Sequence, residues 1–334
     1  MAAQSSKELV KDLFGYKELL RTPFIPWVGV FAAKLEQVPV RGLLSDAGTL
    51  SKAQLNAQKL FGSDAIVNIF DTSLEAEACG CRLDWSDKEA PPKVSSHPLS
   101  EGAAVASIDV NSIESRGRLP AVIEATKRML LIKGKDMAVF AMMTGPLTLA
   151  RHLVGKTFID SLVNQPQEAA KAIGLAGSIG SKLCRTYGEL GVDAIVVADE
   201  TLGEIPPELV KTAVGPLKTI WNMTRYYGIH SLLVTKGCSA GHIEPVISLE
   251  AEGVAIGGVD CAAVKEAVVK KNRVYGGSIL SSALLESPEK AGASAAECLA
   301  VRGKGFFLTT EWDIPYATPV ENMHEVAKAL KATG

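Results

Sequence analysis

The sequence predicts a single-domain α/β protein over residues 1–334, built as a (β/α)8 TIM barrel with an insertion after its second strand. Eight short apolar, β-branched runs predict strands at 27–30, 65–70, 138–143, 194–197, 231–234, 253–256, 273–275 and 305–308. Most of the gaps between these runs carry helical patterns, such as 166–190 and 207–227. Because strands that alternate with helices pair in parallel through crossovers, eight such runs favour a barrel.

The longest gap, 75–118, interrupts this alternation between the second and third predicted strands. It has few apolar residues and contains the pair Pro91 and Pro92. We expect this segment to pass over the mouth of the barrel. The sequence has no fixed-period repeat, low-complexity tract or composition shift that would mark a second domain.

Composition argues against several classes of partner. The chain is 47% hydrophobic, enough for a large core, and its 35 Lys and Arg residues nearly balance 37 Asp and Glu residues. Neither nucleic acid nor a membrane is therefore an expected partner. There is no run of about 18 apolar residues and no secretion-signal pattern. Six scattered cysteines fit a reducing compartment, so a cytoplasmic location is expected.

Five segments carry a family resemblance: FGSDAIVNIFD at 61–71, GRLPAVIEA at 117–125, MTGPLTLA at 143–150, YGELGVDAIVVADE at 187–200 and WDIPYATPVEN at 312–322. In order and spacing the chain resembles the uroporphyrinogen decarboxylase-like superfamily, which implies a single β/α barrel. Each pattern is loose by itself, but their shared order covers nearly the whole chain.

One segment separates two branches of this superfamily. The decarboxylases carry an arginine-rich segment after the first strand, because a substrate with many carboxylates needs guanidinium partners. The corresponding segment here, TPFIPWVGVFAAKL at 22–35, has no arginine. The resemblance therefore favours the cobalamin-dependent methyltransferases, in which the cobalamin is carried by a separate corrinoid protein.

The zinc ligands of the thiol-methylating members of this branch are missing. Those members use a His-x-Cys pair at the fifth strand and a cysteine near the C-terminal signature, because zinc turns a thiol into a nucleophilic thiolate. Val234, Lys236 and Trp312 stand at these three positions. A zinc cofactor is therefore uncertain.

The remaining resemblance is to O-demethylase methyltransferases, which move a methyl group from a methoxylated aromatic compound to cobalamin. An ether oxygen is a poor leaving group, so such a site needs a proton donor. The alternatives are a methylcorrinoid:tetrahydrofolate methyltransferase, a uroporphyrinogen decarboxylase and a non-catalytic ligand-binding barrel. The expected partners are a corrinoid protein and a small-molecule methyl donor or acceptor, and a homodimer is left open.

Functional side chains of a β/α barrel lie at the carboxyl ends of its strands. Charged residues that follow predicted strands are Asp71, Asp199, Glu200, Lys236, Asp260, Glu311 and Asp313, and the candidate catalytic residues among them are Asp71, Asp199, Glu200, Lys236 and Glu311. Carboxyl groups crowded in an apolar mouth have raised pKa values, so that one of them can donate a proton near neutral pH. The alternative is structural, because acids at strand ends commonly cap the next helix and Lys236 can pair with one of them.

Four aromatic residues lie at or near predicted strand ends. Trp27, Phe31, Phe70 and Trp312 are candidate substrate-binding residues, because aromatic walls suit a flat ring. Ordinary core packing is the alternative.

One metal site is suggested by spacing. Cys238 and His242 in KGCSAGHIEP are candidate ligands, but no clear third ligand follows from the sequence, although Glu200, Glu244 and Glu311 are options. The alternative is a buried cysteine beside a loop histidine.

Overall fold

The fold is a curled parallel sheet covered by helices, seen in a computed structural model that describes residues 4–100 and 104–332. The strands are β1 Ala65–Val67, β2 Leu83–Asp84, β3 Lys93–Val94, β4 Ala138–Thr144, β5 Ala194–Ala198, β6 His230–Thr235, β7 Gly253–Ile256, β8 Val274–Ile279 and β9 Phe306–Thr310. Seven of these form one parallel sheet in the order β1-β4-β5-β6-β7-β8-β9, and β2 and β3 form a separate antiparallel hairpin.

The helices connect consecutive strands and cover the sheet. They are α1 Ser6–Phe14, α2 Phe31–Glu36, α3 Val40–Ser45, α4 Ala47–Phe61, α5 Leu74–Ala78, α6 Leu119–Lys133, α7 Pro146–Val154, α8 Phe158–Asn164, α9 Pro166–Leu190, α10 Thr201–Glu204, α11 Val214–Tyr227, α12 Ile243–Ile247, α13 Cys261–Val269, α14 Ser281–Glu286, α15 Pro288–Ala300 and α16 Val320–Lys331. The predicted helix at 166–190 is confirmed as α9, which begins with a proline and ends before Gly191 at φ 80°. No helix among the described residues combines the length and apolar content needed to cross a bilayer.

Seven of the eight predicted strands coincide with β1 and β4 to β9, but the first prediction, 27–30, is wrong. The chain pairs with the sheet earlier, where Phe24 forms a parallel bridge to Leu308. The Ile25 N–H donates to the Leu308 carbonyl at 2.9 Å, and the Asp64 N–H donates to the Phe24 carbonyl at 2.7 Å. Pro26 has no N–H to continue the ladder, so the apolar run after it leaves the sheet.

Both faces of the sheet are buried, which explains why its strands consist mostly of apolar residues. Along β5, Ile195 and Val197 face the helices, while Val196 belongs to the inner cluster. Helix α1 adds Val10 and Leu13 to that inner cluster, next to the amino-terminal ends of the strands. The carboxyl ends of the strands are therefore the end at which a ligand can enter.

The gap at 75–118 contains most of α5, the β2–β3 hairpin and two 3-10 turns, Val105–Ser107 and Val110–Ser115; residues 101–103 lie outside the described ranges. Pro91, Pro92 and Lys93 of the hairpin line the same cavity as residues that follow the strands. The β2–β3 hairpin thus forms one wall at the carboxyl end of the sheet.

Candidate functional site

A cavity of about 580 Å³ opens where β1, β5, β6 and β9 end. Its wall includes Phe70, Asp71, Thr72, Glu200, Lys236, Trp312 and Asp313, together with the tip of the hairpin. Because all four strands are parallel, the residues that follow them meet at one edge of the sheet. Three of the five predicted catalytic residues, Asp71, Glu200 and Lys236, are brought together here.

Glu200 and Lys236, both in the cavity lining, form an ion pair in which Lys236 Nζ and Glu200 Oε2 are 2.8 Å apart. The Lys236 ammonium also lies 4.7 Å from the centre of the Trp312 ring. Burial raises the pKa of Glu200, but the Lys236 charge and hydrogen bond, together with His152 and Arg151, outweigh burial, so the pKa is lowered overall. Glu200 is therefore a carboxylate at neutral pH, and it holds a positive charge in the cavity.

Asp71 is held by a second, buried ion pair. Its Oδ2 lies 2.6 Å from the Arg118 guanidinium, and its Oδ1 accepts hydrogen bonds from the Ser73 backbone N–H and hydroxyl at 2.8 and 2.6 Å. Arg118 also binds Glu77 at 2.7 Å and lies 5.0 Å from the centre of the Trp85 ring. Both oxygens of Asp71 are engaged, so Asp71 supplies a fixed negative charge.

Asp313 differs from the other carboxyl groups that line the cavity. Its Oδ1 is shielded from solvent and has no hydrogen-bond partner among the described residues, while Oδ2 accepts from the Val30 N–H at 3.3 Å. Burial raises the pKa of Asp313 to about 8, and the nearby Asp71 charge adds to the increase, although the Val30 and Gly29 N–H groups oppose it. A Cβ on Gly29 would lie only 2.4 Å from Oδ1, so glycine makes room for this carboxyl group. The raised pKa favours the protonated carboxylic acid at neutral pH.

The other two predicted catalytic residues lie apart from the described lining of the cavity. Asp199 is fully buried and accepts hydrogen bonds from the N–H groups of Leu147 and Thr148, at 2.9 and 3.0 Å, and from the Thr148 hydroxyl at 2.7 Å. Burial raises the pKa of Asp199 to about 6. Glu311 accepts from the Ser281 N–H at 3.3 Å. The Asp199 side chain therefore caps the start of α7, the helix after β4, and not the helix that follows its own strand.

The four predicted aromatic residues divide between the cavity and the core. Phe70 and Trp312 line the cavity edge-to-face, with ring centres 4.9 Å apart. Trp27 is fully buried behind Phe70, at 6.0 Å, and its Nε1 has no partner among the described residues. Phe31 instead packs against Phe61 in the outer core.

The Cys238 and His242 pair has no arrangement suited to a metal. His242 Nδ1 accepts from the Ser239 N–H at 3.1 Å, and Nε2 lies 2.9 Å from the Ile205 carbonyl, to which it must donate. The ring therefore has no nitrogen left for a metal. Burial raises the pKa of the Cys238 thiol to about 11. Within the described residues, no three His, Cys, Asp or Glu side chains are grouped to hold a metal ion.

Sequence reasoning missed two residues that shape this site, Arg118 and Trp85. Arg118 follows Asp71 by 47 positions, and neither its spacing nor its neighbours in the sequence indicate that the two side chains meet. Asp313 was recognised as an acid after a strand, but its unpartnered oxygen is a tertiary property that has no signal in the sequence.

The sequence profile of the uroporphyrinogen decarboxylase (URO-D) family matches residues 5–333. The chain belongs to the uroporphyrinogen decarboxylase family. The resemblance drawn from the five sequence segments is thereby confirmed.

Relatives of this family member are methyltransferases. It is 26% identical over 151 residues to the methylcobamide:CoM methyltransferase MtaA of Methanosarcina barkeri, covering 45% of this chain and 44% of that protein. It is 24% identical over 300 residues to the methylated-thiol–coenzyme M methyltransferase of Methanosarcina mazei, covering 86% and 78%. The chain spans about half the length of the methylcobamide:CoM methyltransferases it matches.

Among solved structures, a methyltransferase from Methanosarcina mazei superposes on this family member with a TM-score of 0.86, covering 99% of both chains at 22% identity. At this level of identity, the likeness establishes a shared fold.

Proposed function

We propose that this chain is a methyltransferase that moves a methyl group from an O-methyl aromatic compound to the cobalamin of a separate corrinoid protein. The observation that carries the proposal is Asp313, which lines a cavity walled by Phe70 and Trp312, has a raised pKa, and keeps one oxygen without a hydrogen-bond partner among the described residues. The methyltransferase relatives, whose names include methylcobamide, support the reaction class.

The proposal treats residues 1–334 as one domain in which the sheet closes into a (β/α)8 barrel. Support comes from the backbone hydrogen bonds of residues 23–25. The Pro23 carbonyl and the Ile25 N–H bond to Leu308 of β9, and the Phe24 carbonyl accepts from the N–H of Asp64, the residue just before β1. In this arrangement the 75–118 insertion borders the mouth, at which a corrinoid protein would present its cofactor.

Reduced cobalamin, when presented, supplies the nucleophile that accepts the methyl group. The residues of this chain act on the other end of the breaking bond. As the methyl carbon–oxygen bond breaks, the ether oxygen takes the Asp313 proton and leaves as a neutral phenol. Asp313 becomes a carboxylate, which the Lys236 charge stabilises. Solvent then restores the proton.

The fixed charges around Asp313 have complementary roles. The negative charge of Asp71, which is paired with Arg118, raises the pKa of Asp313 and so keeps its proton in place before the reaction. Lys236, fixed by Glu200 and Trp312, favours the carboxylate formed afterwards and any negative charge on the departing oxygen.

Two other activities fit the described site less well. No arginine is among the described residues of the cavity lining, which argues against a porphyrinogen with many carboxylates. A thiol acceptor activated by zinc lacks its ligands, because Val234, Lys236 and Trp312 occupy the positions expected from the resemblance.

Visible spectroscopy tests the proposal. The purified protein is mixed with a corrinoid protein reduced to cob(I)alamin, and methoxybenzenes, methoxybenzoates or methyltetrahydrofolate are added in separate reactions. Conversion to the methylcobalamin spectrum with a methoxylated aromatic compound is the expected result. Conversion with methyltetrahydrofolate alone would establish the alternative methyl carrier, and no conversion with any of them would reject the proposed function.

A pair of variants links that activity to the site. Asp313→Asn removes the proton donor, and Asp160→Asn makes the same chemical change on the exposed surface of α8. We expect loss of activity only in the first. Equal activities in both variants would remove Asp313 from the mechanism.

A further inference from the structure

Two cysteines far apart in the sequence meet on the helical side of the sheet. Cys261 is the first residue of α13, and Cys298 lies near the end of α15, 37 positions later. Both helices pack against β8, and the two Sγ atoms are 3.7 Å apart. We propose that Cys261 and Cys298 are a redox-active dithiol that hydrogen peroxide or an organic hydroperoxide converts to an intramolecular disulfide.

The surroundings of Cys261 favour the thiolate that such a reaction requires. Its Sγ lies 3.4 Å from the Ser278 backbone nitrogen, which donates to it, and Cys298 supplies a second donor. It also stands at the amino end of a nine-residue helix, where the helix dipole favours negative charge. The hydrogen bond from Cys298 lowers the pKa of Cys261 to about 7, although burial opposes the shift.

Cys298 has the complementary properties of a resolving thiol. Its side chain is buried, and the hydrogen bond to Cys261, followed by burial, raises the pKa of its thiol. It therefore stays protonated and donates to the Cys261 sulfur. Because Cys261 is only half-buried, an oxidant from solvent reaches it first.

Other cysteines of this chain lack this combination. Cys184 and Cys238 are buried, and burial raises the pKa values of their thiols to about 12 and about 11. Burial also raises the pKa of Cys79. All six cysteines lie in the described part of the chain, and none is in a disulfide there. Selective oxidation at Cys261 is expected because the other thiols named here carry little thiolate.

The proposed chemistry has two steps. The Cys261 thiolate attacks one peroxide oxygen, the O–O bond breaks, and a sulfenic acid forms on Cys261. The other oxygen takes a proton from solvent and leaves as water, or as an alcohol when the oxidant is an organic hydroperoxide. The Cys298 sulfur then attacks Cys261 Sγ, the S–O bond breaks, and a second water leaves. Two thiols and one hydrogen peroxide give one disulfide and two waters. The sulfurs must approach by roughly 1.7 Å to reach disulfide length.

The full-length native protein is treated with hydrogen peroxide near pH 7.5, the remaining thiols are blocked with N-ethylmaleimide, and peptides are mapped without reduction. The expected product is a cross-linked pair of peptides containing Cys261 and Cys298, two hydrogens lighter than the separate peptides. Dithiothreitol should restore both thiols. Oxidation of Cys261 to sulfinic acid without the cross-link would overturn the proposal.

Single variants identify the role of each sulfur. In Cys298→Ser the cross-link is lost, and Cys261 proceeds to the sulfinic acid because no thiol resolves the intermediate. In Cys261→Ser, Cys298 should react with peroxide at least about tenfold more slowly than Cys261 does in the parent protein. The matched control Cys238→Ser keeps the cross-link. Fast oxidation of Cys298 in Cys261→Ser would show that Cys261 is not the attacking thiol.

Discussion

Asp199 and Asp313 both follow a strand of the parallel sheet and both have raised pKa values, yet their surroundings differ. Asp199 accepts three hydrogen bonds from Leu147 and Thr148 and does not line the cavity. Asp313 lines the cavity and has one oxygen without a partner among the described residues. A position after a strand brings an acid to the carboxyl end of the sheet. Whether the acid can interact with a ligand depends on whether the protein already satisfies its hydrogen bonds.

The largest expected effect separates these two acids by catalysis. In Asp313→Asn, kcat for an aromatic ether should fall by at least about 100-fold, because a positioned general acid contributes that much or more. The parent rate should be full well below pH 8 and decrease as pH rises through about 8, since only the protonated carboxyl group donates. Initial rates of methylcobalamin formation at several pH values measure both effects. A parent rate that increases between pH 7 and 9 would contradict this role.

The converse substitution should affect folding. In Asp199→Asn, one oxygen acceptor at the start of α7 becomes an NH2 donor facing other donors, so the free energy of unfolding should fall by about 1–3 kcal/mol. Urea denaturation measures the change. The folded variant should keep kcat within about threefold of the parent, and a loss of kcat comparable to that of Asp313→Asn would end the distinction between the two acids.

A smaller catalytic effect is expected at the charged wall. Lys236→Met removes a cation of the cavity lining that favours the Asp313 carboxylate while keeping much of the contact with Trp312, and kcat should fall about tenfold. Loss of the Lys236 charge should also raise the pKa of Glu200, because burial is then less opposed. Rates and a pH titration of kcat measure these changes. The conservative variant Lys236→Arg should recover part of the rate, and no recovery would indicate that the charge itself is not what matters.

Glu75 is a third acid to compare with Asp199 and Asp313, because it is buried and has a raised pKa but lies outside the described cavity lining. Burial raises its pKa to about 7, although its hydrogen bonds to Thr144 oppose the shift. The folded state therefore binds its proton more tightly than the unfolded state, so this residue costs stability as pH rises from about 4.5 through 7.

Glu75→Gln mimics the protonated side chain. The free energy of unfolding of the variant minus that of the parent should become more positive, by an amount on the order of 1 kcal/mol, when the pH is raised from 5 to 8. Chemical denaturation at the two pH values tests this. Activity should keep the pH profile of the parent, and a shift of that profile would mean that Glu75, rather than Asp313, sets it.

Much of this arrangement could be predicted from local pattern. Apolar runs flanked by turn residues predicted seven of the sheet strands, because strands buried on both faces are mostly apolar. The strand-end rule placed Asp71, Glu200 and Lys236 at one edge without any knowledge of their contacts. The first strand was misplaced because 27–30 is as apolar as a strand but lies beyond Pro26.

Local sequence patterns were enough to predict the family, the parallel α/β architecture and the end of the sheet at which chemistry is expected, because these follow from periodicity and from motifs in order. Only the tertiary structure decided which acids share the cavity, that Arg118 holds Asp71, and that Asp313 keeps an unpartnered oxygen. The physical reason is that burial, ion pairing and hydrogen-bond satisfaction depend on neighbours that are distant along the chain. A carboxyl group becomes a cap, a fixed charge or an acid through those neighbours.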